Sequence, residues 1–492
     1  MSTVVIVGAG MGGLMAGNLL AKKGHKVTIF ESHTMPGGYT AGFWRKGYYF
    51  ESGTLSFEMA DLIFPAMRDI GVYDKLQFTR QIARWVSPDY DFVMHSLDDM
   101  KKSILEAFPS EKDRLLKYYA EIDRLCDIYR GLDKPKTFLN KITFPFRMSK
   151  FIGMVRKYGK MTSSEFAEMY FDKGSKVYFT FKDVGYPDMS AMIVPAAFMS
   201  FLNDYWTLKT GMQSWADVLA ENFRKLGGEL KLKSKVERIL TKDGAAIGVT
   251  CGGKDYAADY VLSASDYKKT FLNLLDDRSL LSSDFVEKIQ NAAVSEGFFV
   301  VYLGLDISRE KMREYLKVPH VLYGDCDPPG PDMGDSKDEK FFEKVWLNAY
   351  SPSLMNEELA PKGKSSLMIS CMVPFRWMNN WGGGDRKVYK ELKEKAKKVL
   401  VKRFSSIIPD IEKRIEFEDS ATPLTYERYT GNSDGASSAW SWNPNKWFYK
   451  NPGSTTIDTP VKNLYISSCW AYEFGGIPTA VKAAYMCAER IT

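Results

Sequence analysis

The chain has 492 residues, 45% of them hydrophobic and 26% charged, with a formal net charge of +6. That size and composition exclude a disordered chain and allow two domains with large cores. The charge balance is too mild to call for nucleic acid, and the longest strongly apolar run, near Ala191–Leu202, is too short to span a bilayer as a helix.

The opening stretch carries the most information. Val4-Val5-Ile6-Val7 reads as a short buried strand. It leads into Gly8-Ala9-Gly10-Met11-Gly12-Gly13, which fits G-x-G-x-x-G at Gly8, Gly10 and Gly13. Leu14, Ala16, Leu19 and Leu20 follow at helical spacing, Gly24 stops the helix, and Val27–Phe30 is a second strand ending on Glu31. Gly8 permits the turn out of the strand, Gly10 lets a pyrophosphate approach the backbone, and Gly13 lets helix and strand pack closely. The helix start holds phosphate charge, and an acid about 20 residues on accepts ribose hydroxyls. This predicts a Rossmann-type dinucleotide site, with an acid that favours a ribose lacking a 2′-phosphate.

The next residues distinguish the dinucleotide. Glu31 is followed by Pro36-Gly37-Gly38-Tyr39, completing G-x-G-x-x-G-L…G-x-x-V…E-x5-G-G. That pattern resembles the opening of flavin amine oxidases and phytoene desaturases, and the resemblance implies FAD, with Gly37, Gly38 and Tyr39 beside it. Gly47-Tyr48-Tyr49-Phe50-Glu51-Ser52-Gly53 resembles the G-[YF]-x-F-D-x-G stretch of carotenoid desaturases, carotenoid cis–trans isomerases and retinol saturase. Glu51 stands where those families carry Asp and reads better as a buried hydrogen-bonding acid than as a catalytic one.

Residues 60–205 read as helical and rich in Phe, Met and Lys, with a capping box at Thr162-Ser163-Ser164-Glu165. Within them, 134–160 carries Lys134, Lys136, Lys141, Arg147, Lys150, Arg156, Lys157 and Lys160 with no acid between. Met148, Phe151, Ile152 and Val155 recur at helical spacing. A basic amphipathic helix of this kind docks on a membrane surface, or packs on its own domain with a solvated basic face.

The dinucleotide domain resumes near Trp206, with a helix whose Trp215, Val218, Leu219 and Phe223 share a face. Strands then follow at 229–232, 236–240, 246–251 and 260–264. By resemblance, Val236 sets its backbone against the adenine side of FAD, and Ala264-Ser265-Asp266 matches the family's strand end. Residues 290–450 contain expected strands at 297–304, 345–349 and 367–373 and a Lys-rich helix at 388–404. Gly382-Gly383-Gly384 follows no strand and reads as a loop, so no second dinucleotide fingerprint exists. Thr422–Thr430 resembles the segment before the family's last flavin motif.

That motif is the strand Leu464–Ile466 and then Ser467-Ser468-Cys469-Trp470-Ala471-Tyr472-Glu473-Phe474-Gly475-Gly476-Ile477-Pro478-Thr479-Ala480. Gly475, Gly476, Ile477 and Ala480 resemble the family's C-terminal flavin contact, and Met11 and Gly12 its N-terminal one. Ser468, Glu473 and Phe474 depart from the usual Gly, Pro and Gly. Burial against Trp470, Tyr472 and Phe474 would raise the Glu473 pKa, which makes Glu473 a candidate for proton transfer, with Tyr472 and Cys469 in reserve. A solvent-facing or ion-paired Glu473 is the plainer alternative.

The cysteines (Cys126, Cys251, Cys326, Cys371, Cys469, Cys487) form no C-x-x-C pair and read as reduced thiols of a cytosolic protein. His25, His33, His95 and His320 are scattered, so neither a metal site nor a Ser-His-Asp triad is expected. The chain enters its fold at Val4 with no leader, so a cytoplasmic protein, peripheral to a membrane through 134–160, is expected.

The expected fold is α/β: a Rossmann-type FAD-binding domain of the glutathione-reductase-like, amine-oxidase-like kind with an inserted α+β substrate domain. The FAD domain is discontinuous (1–60, 206–290, 455–492), and 61–205 and 291–454 form the substrate domain. The resemblance implies an FAD oxidoreductase that desaturates, saturates or isomerises carbon–carbon bonds of a long hydrophobic substrate, carotenoid- or retinoid-like. Electrons would pass to or from an external donor or acceptor. A flavin amine oxidase, with Trp470 and Tyr472 as an aromatic pair, and a non-catalytic prenyl-lipid escort protein share parts of the pattern.

Overall fold

Five parallel strands form the first sheet, in the order Leu464–Ile466, Tyr260–Ser263, Thr3–Val7, Lys26–Phe30 and Glu229–Lys231. The computed structural model describes every residue except 133–137, 183, 325–329, 450–453 and 492. Thr3–Val7 sits in the middle of this sheet because Val4 to Val7 are buried on both faces, as parallel strands under helices require. The fingerprint helix, Met11–Lys22, leaves its C-terminal end and packs between the helix Gln213–Lys225 and the closing helix Ile477–Arg490. A buried amide pair pins two of these helices. Asn18 Nδ2 donates to the carbonyls of Leu14 and Leu219, and Asn222 Nδ2 donates to Asn18 Oδ1. Unmet, these groups would each cost about 1–3 kcal/mol.

Val236–Lys242 and Ala245–Cys251 lie outside that sheet. With Lys254–Ala257 they form a separate antiparallel layer. The second large sheet has seven strands, with Gly297–Leu305 between Ile415–Ala421 and Ser365–Val373, then Leu347–Tyr350, His320–Tyr323, Ala83–Val86 and Asp91–Met94.

Two local expectations are corrected. Residues 60–205 are not helical throughout: Phe78–Arg80, Ala83–Val86 and Asp91–Met94 are strands, each too short to show a period of two. The strand expected at 345–349 is Leu347–Tyr350, preceded by a helical turn at Phe341–Lys344. Gly382-Gly383-Gly384 follows no strand, as expected, and ends a left-handed turn in which Met378 to Trp381 all have positive φ. The capping box forms: Glu165 N–H donates to Thr162 Oγ1 at 3.2 Å, and Thr162 N–H donates to Glu165 Oε2 at 2.7 Å.

The helix Phe138–Tyr158 turns Met154 and Tyr158 fully inward and packs Phe151 and Val155 on the same cluster. Ile152, read from sequence as part of that apolar face, points out at 45% exposure, and Phe146 is 64% exposed. Lys134 and Lys136 lie outside the described residues. No helix among the described residues is long and apolar enough to cross a membrane.

Candidate active site

Strand ends build the site. Val7, Phe30, Ser263 and Ile466 close four parallel strands at one edge of the first sheet, where open α/β sheets hold ligands. A cleft of about 910 Å³ opens there and reaches the Gly297–Leu305 strand of the second sheet at Tyr302. Gly8, Gly10, Met11, Gly12, Glu31, Gly37, Gly38, Tyr39, Val236, Ala264, Cys469, Gly476, Ile477 and Ala480 all line it.

The glycines divide by what surrounds them. Gly8 takes φ +104, so the turn out of the strand needs a residue without Cβ. A Cβ on Gly10 would meet no atom within 4 Å, so its face is open to the cleft. On Gly12 it would stand 2.0 Å from Ser467 O, and on Gly13 2.0 Å from Gly8 O. Gly13 and Gly475 are packing residues outside the cleft lining: Gly475 abuts Ser438, where a Cβ would stand 2.3 Å from Ser438 O. The two glycine loops are stitched together by Gly37 N–H, which donates to Ala9 O at 2.8 Å.

Glu31 is held in place from both sides. Ala9 N–H donates to its Oε2 at 2.7 Å, and His33 N–H donates to its Oε1 at 2.8 Å. Lys235 and Val236 stand beside it, and Ser234 N–H donates to Glu31 O at 2.7 Å. The open face at Gly10, the fixed carboxylate and the cleft between them fit the pyrophosphate and adenosine ribose of FAD. At the other end, Tyr39 Oη donates to Ala436 O at 2.9 Å, and its ring stacks on Tyr426 at 5.7 Å. Tyr426 and Tyr302 place their hydroxyls 3.3 Å apart. Trp470 Nε1 donates to Asn432 Oδ1 at 3.1 Å, and both residues line the cleft.

Tyr302, Tyr426, Trp470, Asn432 and Asp266 therefore complete the wall. Asp266 stood at the family's strand end, and Tyr426 in the Thr422–Thr430 stretch, so both had a sequence signal. Tyr302 had none, because one aromatic within an apolar strand looks like core. Asp266 accepts from Lys269 N–H and Ser433 N–H, both at 2.7 Å, and burial raises its pKa.

The three candidates for proton transfer separate. Cys469 faces the cleft, and burial pushes its thiol up to about 11, so it stays protonated. Tyr472 does not line the cleft. Its hydroxyl donates to Met486 Sδ at 2.9 Å in the closing helix. Glu473 is 4% exposed with no hydrogen-bond partner at Oε1, and burial pushes it up to about 7. It too stands outside the cleft lining, and its charge bears on Tyr449. The chain turns between Trp470 and Gly476, and only its ends meet the cleft. Trp470 and Tyr472 consequently do not flank the cleft as an aromatic pair.

Glu51 is fully buried. Tyr49 Oη donates to its Oε2 at 2.8 Å and Met212 N–H to its Oε1 at 3.0 Å, and burial pushes it up to about 8. It ties strand Tyr48–Glu51 to the start of helix Gln213–Lys225. His320 is buried between Gln81 Nε2 (3.0 Å) and Asn348 Oδ1 (2.7 Å), which suits a structural role. Among the described residues no group of acids, cysteines and histidines could hold a metal, and the described cysteines are free. Cys326 lies outside the described residues.

Comparison with known proteins places this geometry. The model of the family described as flavin containing amine oxidoreductase matches residues 11–492. A 4,4′-diapophytoene desaturase (4,4′-diaponeurosporene-forming) of Staphylococcus haemolyticus is 24% identical, over 99% of this chain and 98% of its own. The chloroplastic prolycopene isomerase of Daucus carota is 22% identical, over 99% of this chain and 79% of its own. Among solved structures, putrescine oxidase bound to putrescine superposes with a TM-score of 0.64 at 16% identity, covering 100% of this chain and 98% of that one.

Proposed function

The chain belongs to the flavin containing amine oxidoreductase family, and from that premise we propose that it desaturates, saturates or isomerises carbon–carbon bonds of a long polyene. It is an FAD-dependent oxidoreductase. When bound, FAD supplies the hydride chemistry. The protein's part is to hold the dinucleotide, orient the substrate and keep water out. Backbone N–H groups at the start of Met11–Lys22 would hold the pyrophosphate, and Glu31 would accept from the ribose hydroxyls. The start of Ile477–Arg490 offers its positive end to the ring.

One observation carries the substrate class. Relatives whose names are diapophytoene desaturase and prolycopene isomerase match this chain over 99% of its length, so the likeness includes the substrate half. The substrate half is rich in large apolar side chains, and Phe201, Tyr205, Leu322 and Trp346 among them are only half-buried, which suits contact with a long apolar molecule. Trp470 and Tyr472 do not stand across the cleft from one another, which weighs against an amine substrate. The likeness to putrescine oxidase is one of fold.

A polyene has to reach the flavin without crossing water. The helix Phe138–Tyr158 is read as the docking element, with Phe146 and Ile152 outward among Lys150, Arg156 and Lys157. Electrons that do not return to the substrate pass to or from an external donor or acceptor.

The test is anaerobic incubation of holoprotein with 4,4′-diapophytoene, with prolycopene and with putrescine, following flavin absorbance and the pigment spectrum. A polyene is expected to change the flavin or shift its own spectrum. Bleaching by the amine alone would overturn the reading.

A further inference from the structure

Neither Glu473 nor Glu58 belongs to the cleft wall, but Glu58 stands against Gly476, which does. Glu58 lies between strand Tyr48–Glu51 and helix Ala60–Asp69. Phe57 before it is buried on Trp215, with ring centroids 4.8 Å apart, and exchanges backbone hydrogen bonds with Trp206 at 2.8 and 2.9 Å. That anchoring turns Glu58 the opposite way, toward the start of the closing helix. A Cβ built on Gly476 would stand 3.6 Å from Glu58 Oε1. Gly476 and Ile477 line the cleft. Gly476 has φ +132, so a side chain there is excluded by conformation and the carboxyl has that approach to itself.

We propose that Glu58 is the proton-exchange group of this site, standing at the Gly476 end of the FAD cleft, an inference that rests on the flavoenzyme reading above. No cation among the described residues neutralises it. The groups that face it are the Asp204 carboxylate, which repels its charge, and the Tyr205 phenol. Asp204 is committed elsewhere, accepting from Ala60 N–H and Trp206 Nε1. Burial, opposed by the carboxylate's hydrogen bond from its own backbone N–H and aided to a lesser degree by Asp204, pushes Glu58 up to about 7, where it can give or take a proton at neutral pH. In the desaturating direction the hydrogen that leaves one substrate carbon with both its electrons would be accepted by FAD, the hydride acceptor when bound. The neighbouring carbon gives a proton to the Glu58 carboxylate, and the electron pair left behind closes the double bond. Saturation runs the same transfers backwards.

The experiment uses holoprotein carrying Glu58→Gln, Glu58→Asp or Glu473→Gln. The absorption of oxidised flavin, titrated across neutral pH, should show an inflection near 7 in the wild type. Glu58→Gln should keep its flavin and lose the inflection. Glu473→Gln should keep both, and Glu58→Asp should keep its flavin with the inflection displaced. With a polyene as substrate, Glu58→Gln should fall about 100-fold or more in turnover, and Glu473→Gln should not. A wild-type titration without an inflection, or one that survives Glu58→Gln, overturns the assignment, as does an inflection lost only in Glu473→Gln. If no polyene turns over, the substrate reading fails while the titration still decides Glu58. Should Glu58→Gln not fold, Glu58→Asp decides by a displaced inflection with reduced turnover, and an unchanged profile overturns the proposal.

Discussion

Two glycines two positions apart at the helix start do different work, and alanine separates them. Gly10→Ala sends its methyl group into open cleft at an ordinary φ of −72. The protein should melt like the wild type without cofactor yet purify colourless, read as flavin absorbance per mole of protein. Gly12→Ala drives a methyl group into Ser467 O and should cost about 1–3 kcal/mol of stability, seen in denaturant titration. Equal flavin content in wild type and Gly10→Ala would remove the pyrophosphate from that position. Glu473 makes a stability prediction. Its folded pKa, about 7, lies above its ordinary 4.5 because of burial. A raised acid contributes stability that is complete below the unfolded value and lost as pH rises through the folded one. Glu473→Gln should therefore match the wild type near pH 4 and exceed it above pH 7 by on the order of 2–3 kcal/mol, measured by denaturation at both pH values.

At the scale of elements, the basic helix Phe138–Tyr158 makes the clearest forecast. Its apolar residues divide between a buried stripe (Phe151, Met154, Val155, Tyr158) and the outward Phe146 and Ile152. Each cation near an anionic surface is worth about 1 kcal/mol and is screened by salt. The protein should sediment with anionic vesicles at low salt, less at high salt, and Phe146→Asp with Ile152→Asp should abolish the residue that resists salt. Equal, negligible sedimentation under all conditions would end the docking proposal. The same helix shows where sequence reading stops. Its periodicity marks an apolar face through Met148, Phe151, Ile152 and Val155, but the buried stripe keeps Phe151 and Val155, takes in Met154 and Tyr158, and leaves Ile152 outside. That choice is set by what the helix packs on. The opening strand, fingerprint and Glu31 were legible because each needs a particular residue type at a particular spacing. Tyr302 and Glu58 were not, since neither belongs to a local pattern and both matter only through distant neighbours.

Across the whole molecule, the sheets are assembled from remote segments. Ala83–Val86 pairs in parallel with His320–Tyr323, and no local signal marks a four-residue strand with such a partner. The cleft lies where the two large sheets meet, so FAD in it should brace both. At FAD near 1,000 times its dissociation constant the gain is about 4 kcal/mol. Thermal denaturation of holoprotein and of stripped protein should differ accordingly, and added NAD should not substitute. Identical melting with and without FAD would place the dinucleotide somewhere other than this cleft.

The first sheet takes its central strand from Thr3–Val7 and an edge strand from Leu464–Ile466, and the cleft needs Gly10 and Ile477 together. A ribosome delivers the two far apart in time. At roughly 5–20 residues per second, the glycine loop waits about 20–90 s for its counterpart. From their own synthesis until Leu464–Ile466 is made, Val261 and Leu262, buried in the finished sheet, lie along an open edge. FAD can therefore find its complete cleft only once the closing helix has been made.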